Sequence, residues 1–204
     1  MRTDDRRAIL HESPALLAET FDALDTHDPG LGCVMAITAL TGIRAYELEQ
    51  LSVEAIDLEA RIVEPIWWSA SLKASHRLDR PVLPIPDAVA PLFARLIDGA
   101  AAKRRPTLVG AATILPRWHH VRLVGKLGDM PRHAFRMLFA ATLREVTTAD
   151  ALIARSLGSR TTGGMRSPDD VTAAGAEELR PLFEAVADRL APLVLRPGFT
   201  KAPG

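Results

Sequence analysis

The chain has 204 residues, of which 48% are hydrophobic, so it can bury a full core and we expect one globular domain. Its 25 basic residues equal its 25 acidic residues, which excludes a global positive field for nucleic acid, and any DNA contact must depend on a local patch. No apolar run reaches the roughly 20 residues of a membrane span, and the charged start lacks the apolar core of a signal peptide. We therefore expect a cytoplasmic protein that does not enter a membrane.

The first half of the sequence predicts helices followed by a small sheet. Residues 1–30 are polar apart from the amphipathic segment PALLAETFDALD, and we interpret them as an appendage before the main domain. LGCVMAITAL, residues 31–40, is nearly all apolar and predicts a buried helix ended by Gly42, with Cys33 as a core thiol. RIVEPIWW and RPVLPI then predict two strands, and the prolines at 65, 81 and 84 favour sheet edges.

The second half predicts further helices. DAVAPLFARLI has helical periodicity with Asp87 as a possible cap, and the basic segment RWHHVRLVGKL, residues 117–127, favours another helix. Pro131 suits the first turn of the helix after it, ADALIARSL predicts a short helix ended by Gly158, and residues 179–195 carry one apolar stripe. We predict a mainly α fold with a small antiparallel β-sheet (α+β), with the domain at 31–195 and a tail at 196–204.

Two motifs place basic side chains at helix starts. TGIRAYELEQL puts Arg44 after a glycine with Glu47 three residues later, so the acid can hold the guanidinium and aim it at an anion. An ordinary ion pair on a solvent-facing helix surface is the alternative for that motif. MPRHAFRMLF puts His133 and Arg136 on one helix face, as a proton donor and a phosphate clamp or as a capping histidine beside a surface arginine. Lys73, in the predicted turn between the strands, could reach a phosphate or protonate a leaving oxygen.

The order of these motifs resembles the catalytic domain of tyrosine recombinases, the phage-integrase family, over roughly residues 31 to 195. T-G-x-R-x-x-E-L is followed by a lysine between two strands, H-x-x-R at a helix start and L-G after the next helix. The resemblance implies that Arg44 and Arg136 grip the scissile phosphate of DNA, that Lys73 and His133 assist proton transfer and that Glu47 supports the first arginine. Fixed guanidinium donors would stabilise the charge that develops on the phosphorus.

The sequence departs from that family at the nucleophile. Ser159 stands where the family has a second histidine or a tryptophan, and no tyrosine follows it. The chain's only tyrosine is Tyr46, inside the first arginine motif. Without a tyrosine at the family's position, the covalent phosphotyrosine intermediate cannot form within one subunit. We therefore expect a double-stranded DNA-binding protein that retains the phosphate pocket, lacks autonomous strand cleavage and has an accessory or regulatory role in recombination or integration.

Two other functions remain open from the sequence. A second recombinase subunit could supply a tyrosine in trans, or the fold could serve as a protein-interaction module that docks, on itself or on a partner, through its C-terminal helix. A basic stretch that could contact the DNA backbone, or could simply face solvent, contributes Arg117, His120, Arg122, Lys126 and Arg132. We expect no cofactor and no metal site, since Cys33 has no ligand-spaced partner and adjacent histidines on a helix point apart.

Overall fold

The computed structural model describes residues 10, 13–64, 82–110, 113–157 and 173–201. Within these ranges the protein is mainly helical with one small antiparallel sheet, which confirms the predicted α+β class. In the described ranges, we found no helix with the length and apolar character needed to cross a membrane. The helices are α1 Pro14–His27, α2 Pro29–Thr41, α3 Ala45–Gln50, α4 Ala90–Ala102, α5 Ile114–Val124, α6 Ala134–Val146, α7 Asp150–Ser156, α8 Ala173–Val194 and α9 Pro197–Thr200, with a 3-10 turn at Val53–Ala55.

Helix α2 forms the centre of the core. All its residues from Leu31 to Thr41 are buried, as expected for a helix that is apolar on every side, and it packs against α1, α6, α8 and α9. Asp28 caps its start by accepting the Leu31 N–H at 3.0 Å. Gly42 ends it in the left-handed conformation, with φ 68°, so the predicted buried helix and its glycine stop are confirmed. Cys33 is fully buried, which confirms the predicted core thiol, and this burial raises the pKa of the thiol to about 12.

The sheet contains β1 Ile56–Asp57, β2 Ile62–Val63 and β3 Leu83–Pro84 in that spatial order. The two predicted strands pair antiparallel, with Val63 opposite Leu83. Pro84 lies in the edge strand β3, as predicted. The described part of the RIVEPIWW run forms β2, which is the middle strand because β1 pairs with its other side, so the predicted edge position of that run is wrong. The sequence does not predict strand β1, because acidic residues, which are depleted in strands, occur in and around it. The prolines at 65 and 81 lie outside the described residues.

Two predicted helix starts are wrong. Helix α4 begins at Ala90 after a turn, and Asp87 does not cap it. The Asp87 N–H instead donates to Glu184 on α8 at 3.1 Å, and its carboxylate pairs with Arg61. Pro131 precedes the first turn of α6 because residues 131–133 form a separate turn, in which the Ala134 N–H donates to the Pro131 carbonyl at 2.9 Å.

The described core crosses both predicted domain boundaries. Phe21 on α1 and Phe199 on α9 are fully buried in the same cluster, with ring centroids 6.1 Å apart. Helix α8 begins at residue 173, earlier than predicted, and buries most of its stripe against the protein's own core, namely Phe183, Val186 and Leu190. Residues 13–27 and 196–200 therefore belong to the main core.

Candidate functional site

The junction between α2 and α3 fixes Arg44. Arg44 is the N-cap residue of α3, and its backbone N–H donates to Glu47 Oε2 at 2.8 Å. Its side chain donates through Nη1 to Glu47 Oε1 at 2.7 Å. The Glu47 side chain is only 5% exposed whereas that of Arg44 is 36% exposed, which differs from an ion pair on a solvent-facing surface. Glu47 thus fixes both the start of α3 and the direction of a guanidinium that solvent can reach.

The charge of Arg44 is secured by its neighbours. Burial lowers the pKa of Arg44, but the charge of Glu47 and hydrogen bonding to Glu47 and to Tyr46 raise it, and the net change is upward. Arginine is already protonated at all ordinary pH values. The guanidinium is therefore a permanent cation whose direction is fixed.

Arg136 brings the start of α6 to the same junction. It lies in the first turn of α6 and donates through Nη1 to the Gly42 carbonyl and through Nη2 to the Leu157 carbonyl. Both carbonyls lie at helix C-termini, those of α2 and α7, where backbone acceptors lack intrahelical partners and attract cations. Because Gly42 is two residues before Arg44, this contact places the two predicted phosphate-binding arginines at one site.

A cavity of about 300 Å³ that is open to solvent lies between the two helix starts. His133, the exposed N-cap residue of α6, and Arg132, half-buried in the preceding turn, lie at its edge. No carboxylate is among its described lining residues, and the positive end of the α6 dipole adds to the field. The cavity can therefore attract an anion. Its described lining residues are Thr38, Arg44, Ala45, Tyr46, Arg132, His133 and Arg136.

For two lining residues, the structure indicates a role that differs from the one predicted from the sequence. Arg132 was predicted as a general DNA contact, and the structure places it in the cavity with Arg44 and Arg136. The sequence indicates for Tyr46 only that it does not stand where the recombinase family has its nucleophile. Its position two residues after Arg44 is the signal in the sequence for a role in the cavity. Lys73 and Ser159 lie outside the described residues.

The predicted basic stretch divides into side chains with structural partners and exposed ones. Arg117 donates through Nε to Asp28 Oδ2 at 2.7 Å and through Nη2 to Asp28 Oδ1 at 2.5 Å, which links α5 to the start of α2. Arg122 donates to the Met130 carbonyl at 3.3 Å. His120 and Lys126 are exposed. Of the predicted contacts, His120 and Lys126 are therefore the exposed ones, and Arg132 lines the cavity.

Comparisons with protein-family models, with curated proteins and with solved structures found no match to this chain. Among the described residues, no group of three His, Cys, Asp or Glu side chains could hold a metal ion. The functional interpretation therefore depends on the residues of this chain and on their geometry.

Proposed function

We propose that the protein binds double-stranded DNA by holding a backbone phosphate in the cavity between the starts of α3 and α6. The observation that carries this proposal is the convergence of Arg44, Arg132, His133 and Arg136 on one cavity. The planar fork of a guanidinium matches two phosphate oxygens, and phosphate contacts supply most of the sequence-independent affinity for DNA. Three guanidinium groups in a cavity whose described lining residues include no carboxylate suit such a ligand.

The orientation of the two arginines supports the same ligand. Glu47 holds Arg44 from the buried side, and two backbone carbonyls hold Arg136. Side chains that are ordered before binding lose less conformational entropy when the ligand arrives. A phosphate would therefore meet donors that are already in place.

The resemblance to tyrosine recombinases assigns phosphate binding to the same residues, Arg44 and Arg136, with His133 beside them. We infer an integrase-like DNA-binding protein with an accessory or regulatory role in recombination or integration. In that family the nucleophilic tyrosine follows the L-G motif, here Leu157 and Gly158, whereas Tyr46 lies far before this motif. A chain without a tyrosine at the later position would not cleave DNA alone.

The test is duplex DNA binding by fluorescence anisotropy across a salt series, with Arg44→Gln. A protein that neutralises phosphates loses affinity linearly on a log–log salt plot, with a slope set by the number of phosphates contacted. We expect Arg44→Gln to weaken binding about tenfold and to reduce the slope by about one, because one charge-assisted phosphate contact is lost. Arg44 is preferred to Arg136 because Arg136 also joins the ends of α2 and α7.

Arg189→Gln is the matched control. It removes the same charge from α8, where Arg189 pairs with Glu145 at 3.1 Å and is half exposed, outside the described lining of the cavity. Arg189→Gln should show wild-type thermal melting by circular dichroism. Arg44→Gln should melt at a lower temperature, because Glu47 loses its partner, and the binding assay is therefore run at a temperature where circular dichroism shows both variants to be folded. Equal affinities and equal salt slopes for the two variants would contradict a phosphate site at Arg44.

A further inference from the structure

Tyr46 is placed in the candidate site by the fold. It is the second residue of α3, its side chain is 37% exposed, and it lines the same cavity as Arg44, Arg132 and Arg136. It is also the only tyrosine in the chain. A phenol in this position adds a hydroxyl group to a site whose other polar side chains are mainly cationic.

The chemistry of the phenol determines how Tyr46 can act on an anion in the cavity. Tyr46 lies two residues after Arg44 at the start of α3, and both residues line the cavity. An ionised phosphate oxygen only accepts hydrogen bonds, whereas a neutral phenol carries one O–H donor. Beside a bound phosphate, the Tyr46 hydroxyl would therefore be the donor.

We propose that Tyr46 is a ligand-binding residue whose hydroxyl donates a hydrogen bond to an oxygen of the DNA phosphate held in the cavity. The inference rests on the proposed function and specifies a further contact of the same site. In this arrangement Arg44 and Tyr46, which line the same cavity, donate to neighbouring oxygens of one phosphate. Oxygen donors to an anionic oxygen form short, strong hydrogen bonds.

A neutral donor has a distinctive effect on the salt dependence of binding. Loss of a hydrogen bond to a charged group weakens binding about tenfold or more. The number of counterions released depends on the cationic charges that neutralise phosphates, and a phenol contributes none. Removing the Tyr46 hydroxyl should therefore lower affinity at every salt concentration by a similar factor.

The experiment compares Tyr46→Phe, which keeps the ring, with Arg44→Gln and the wild type on one labelled duplex over the same salt series. We expect Tyr46→Phe to raise the dissociation constant about tenfold with an unchanged salt slope, whereas Arg44→Gln changes both quantities. Tyr46→Ala should bind no better than Tyr46→Phe. Thermal melting by circular dichroism checks that each variant is folded, which is expected because the Tyr46 side chain is exposed.

Different results would overturn different statements. Wild-type affinity in Tyr46→Phe, alone or with a loss in Tyr46→Ala, would show that the hydroxyl makes no phosphate contact and would leave the DNA site itself intact. A covalent protein–DNA adduct that survives denaturation and depends on Tyr46 would show attack by the oxygen in place of donation, and would also overturn the proposal. If the wild type shows no DNA binding that depends on Arg44, the proposed function fails, and the Tyr46 contact fails with it.

Discussion

At the scale of single residues, Gly42 is the position where one methyl group has the largest predictable effect near the site. Its φ of 68° disfavours any side chain, and an added Cβ would lie 2.5 Å from Phe139 Cδ1. Conformational cost and overpacking together predict that Gly42→Ala lowers the free energy of unfolding by about 2 to 4 kcal/mol. Urea denaturation followed by circular dichroism measures this loss.

Gly128 provides the matched control for Gly42. It has a similar φ of 61°, but no atom lies within 4 Å of the position that a Cβ would take. Gly128→Ala should therefore lose only the conformational term, about 1 kcal/mol. Equal losses in the two variants would show that Phe139 moves aside without cost and that the junction before Arg44 is not tightly packed.

At the scale of helices, Asp28 joins the start of α2 to α5 through its cap and its ion pair with Arg117. Burial raises the pKa of Asp28, but hydrogen bonds from Arg117 and Leu31 and the charges of Arg117 and His120 lower it, and the net change is downward. A carboxyl whose pKa is depressed in the folded state stabilises the protein above its unfolded pKa of about 3.9, and this stability is lost as pH falls through the folded value.

The prediction for this pair uses Asp28→Asn, because asparagine keeps a capping oxygen and removes the charge. At pH 7 the variant should lose about 1 kcal/mol of unfolding free energy, since the pair is only partly buried. The difference from wild type should begin to shrink as pH falls below about 4, where Asp28 of the unfolded chain becomes protonated, and should disappear below the lower pKa of the folded state. Urea denaturation of both proteins from pH 7 to pH 3 measures this difference in unfolding free energy. A difference that stays constant with pH would contradict the ion pair.

The elements that the sequence predicts well are those with a strong local pattern. Helix α2 was predictable because it is apolar throughout and stops at a glycine, and the edge position of Pro84 follows from its missing N–H. The predicted cap at Asp87 was wrong because local spacing does not show that α8 lies close enough for Glu184 to accept the Asp87 N–H. Tertiary partners decide such details, and a single sequence does not reveal them.

In the candidate site, too, contacts between residues close in sequence could be predicted and contacts between distant residues could not. Arg44 and Glu47 are close in sequence, so their ion pair could be predicted from spacing. Nothing local shows that Arg136 donates to the carbonyl of Gly42, 94 residues away, or that Arg132 shares their cavity. The resemblance to recombinases predicted that Arg44 and Arg136 would meet, but it gave no role to Tyr46.

At the scale of the whole molecule, the two ends of the described chain meet in one core. Phe199 on α9 is fully buried, 6.1 Å from Phe21 on α1 by ring centroids. Its ring lies against Gly32 of α2, where an added Cβ would be 2.6 Å from Phe199 Cζ, so the absence of a side chain there makes room for the ring. A segment that fills such a space is an integral part of the fold, although helix α9 has only four residues and two of them are Pro197 and Gly198.

Phe199→Ala tests this whole-molecule packing, with Leu193→Ala as its control. Loss of the buried ring should lower the unfolding free energy by about 3 to 5 kcal/mol, through lost transfer energy and the cavity that remains. Leu193 is close in sequence but 42% exposed, so its truncation should change stability by about 0.5 kcal/mol or less. Urea denaturation should show a single transition for each protein, because one core unfolds as one unit. A small effect of Phe199→Ala, similar to that of Leu193→Ala, would mean that residues 197–200 behave as a tail and that the core ends with α8.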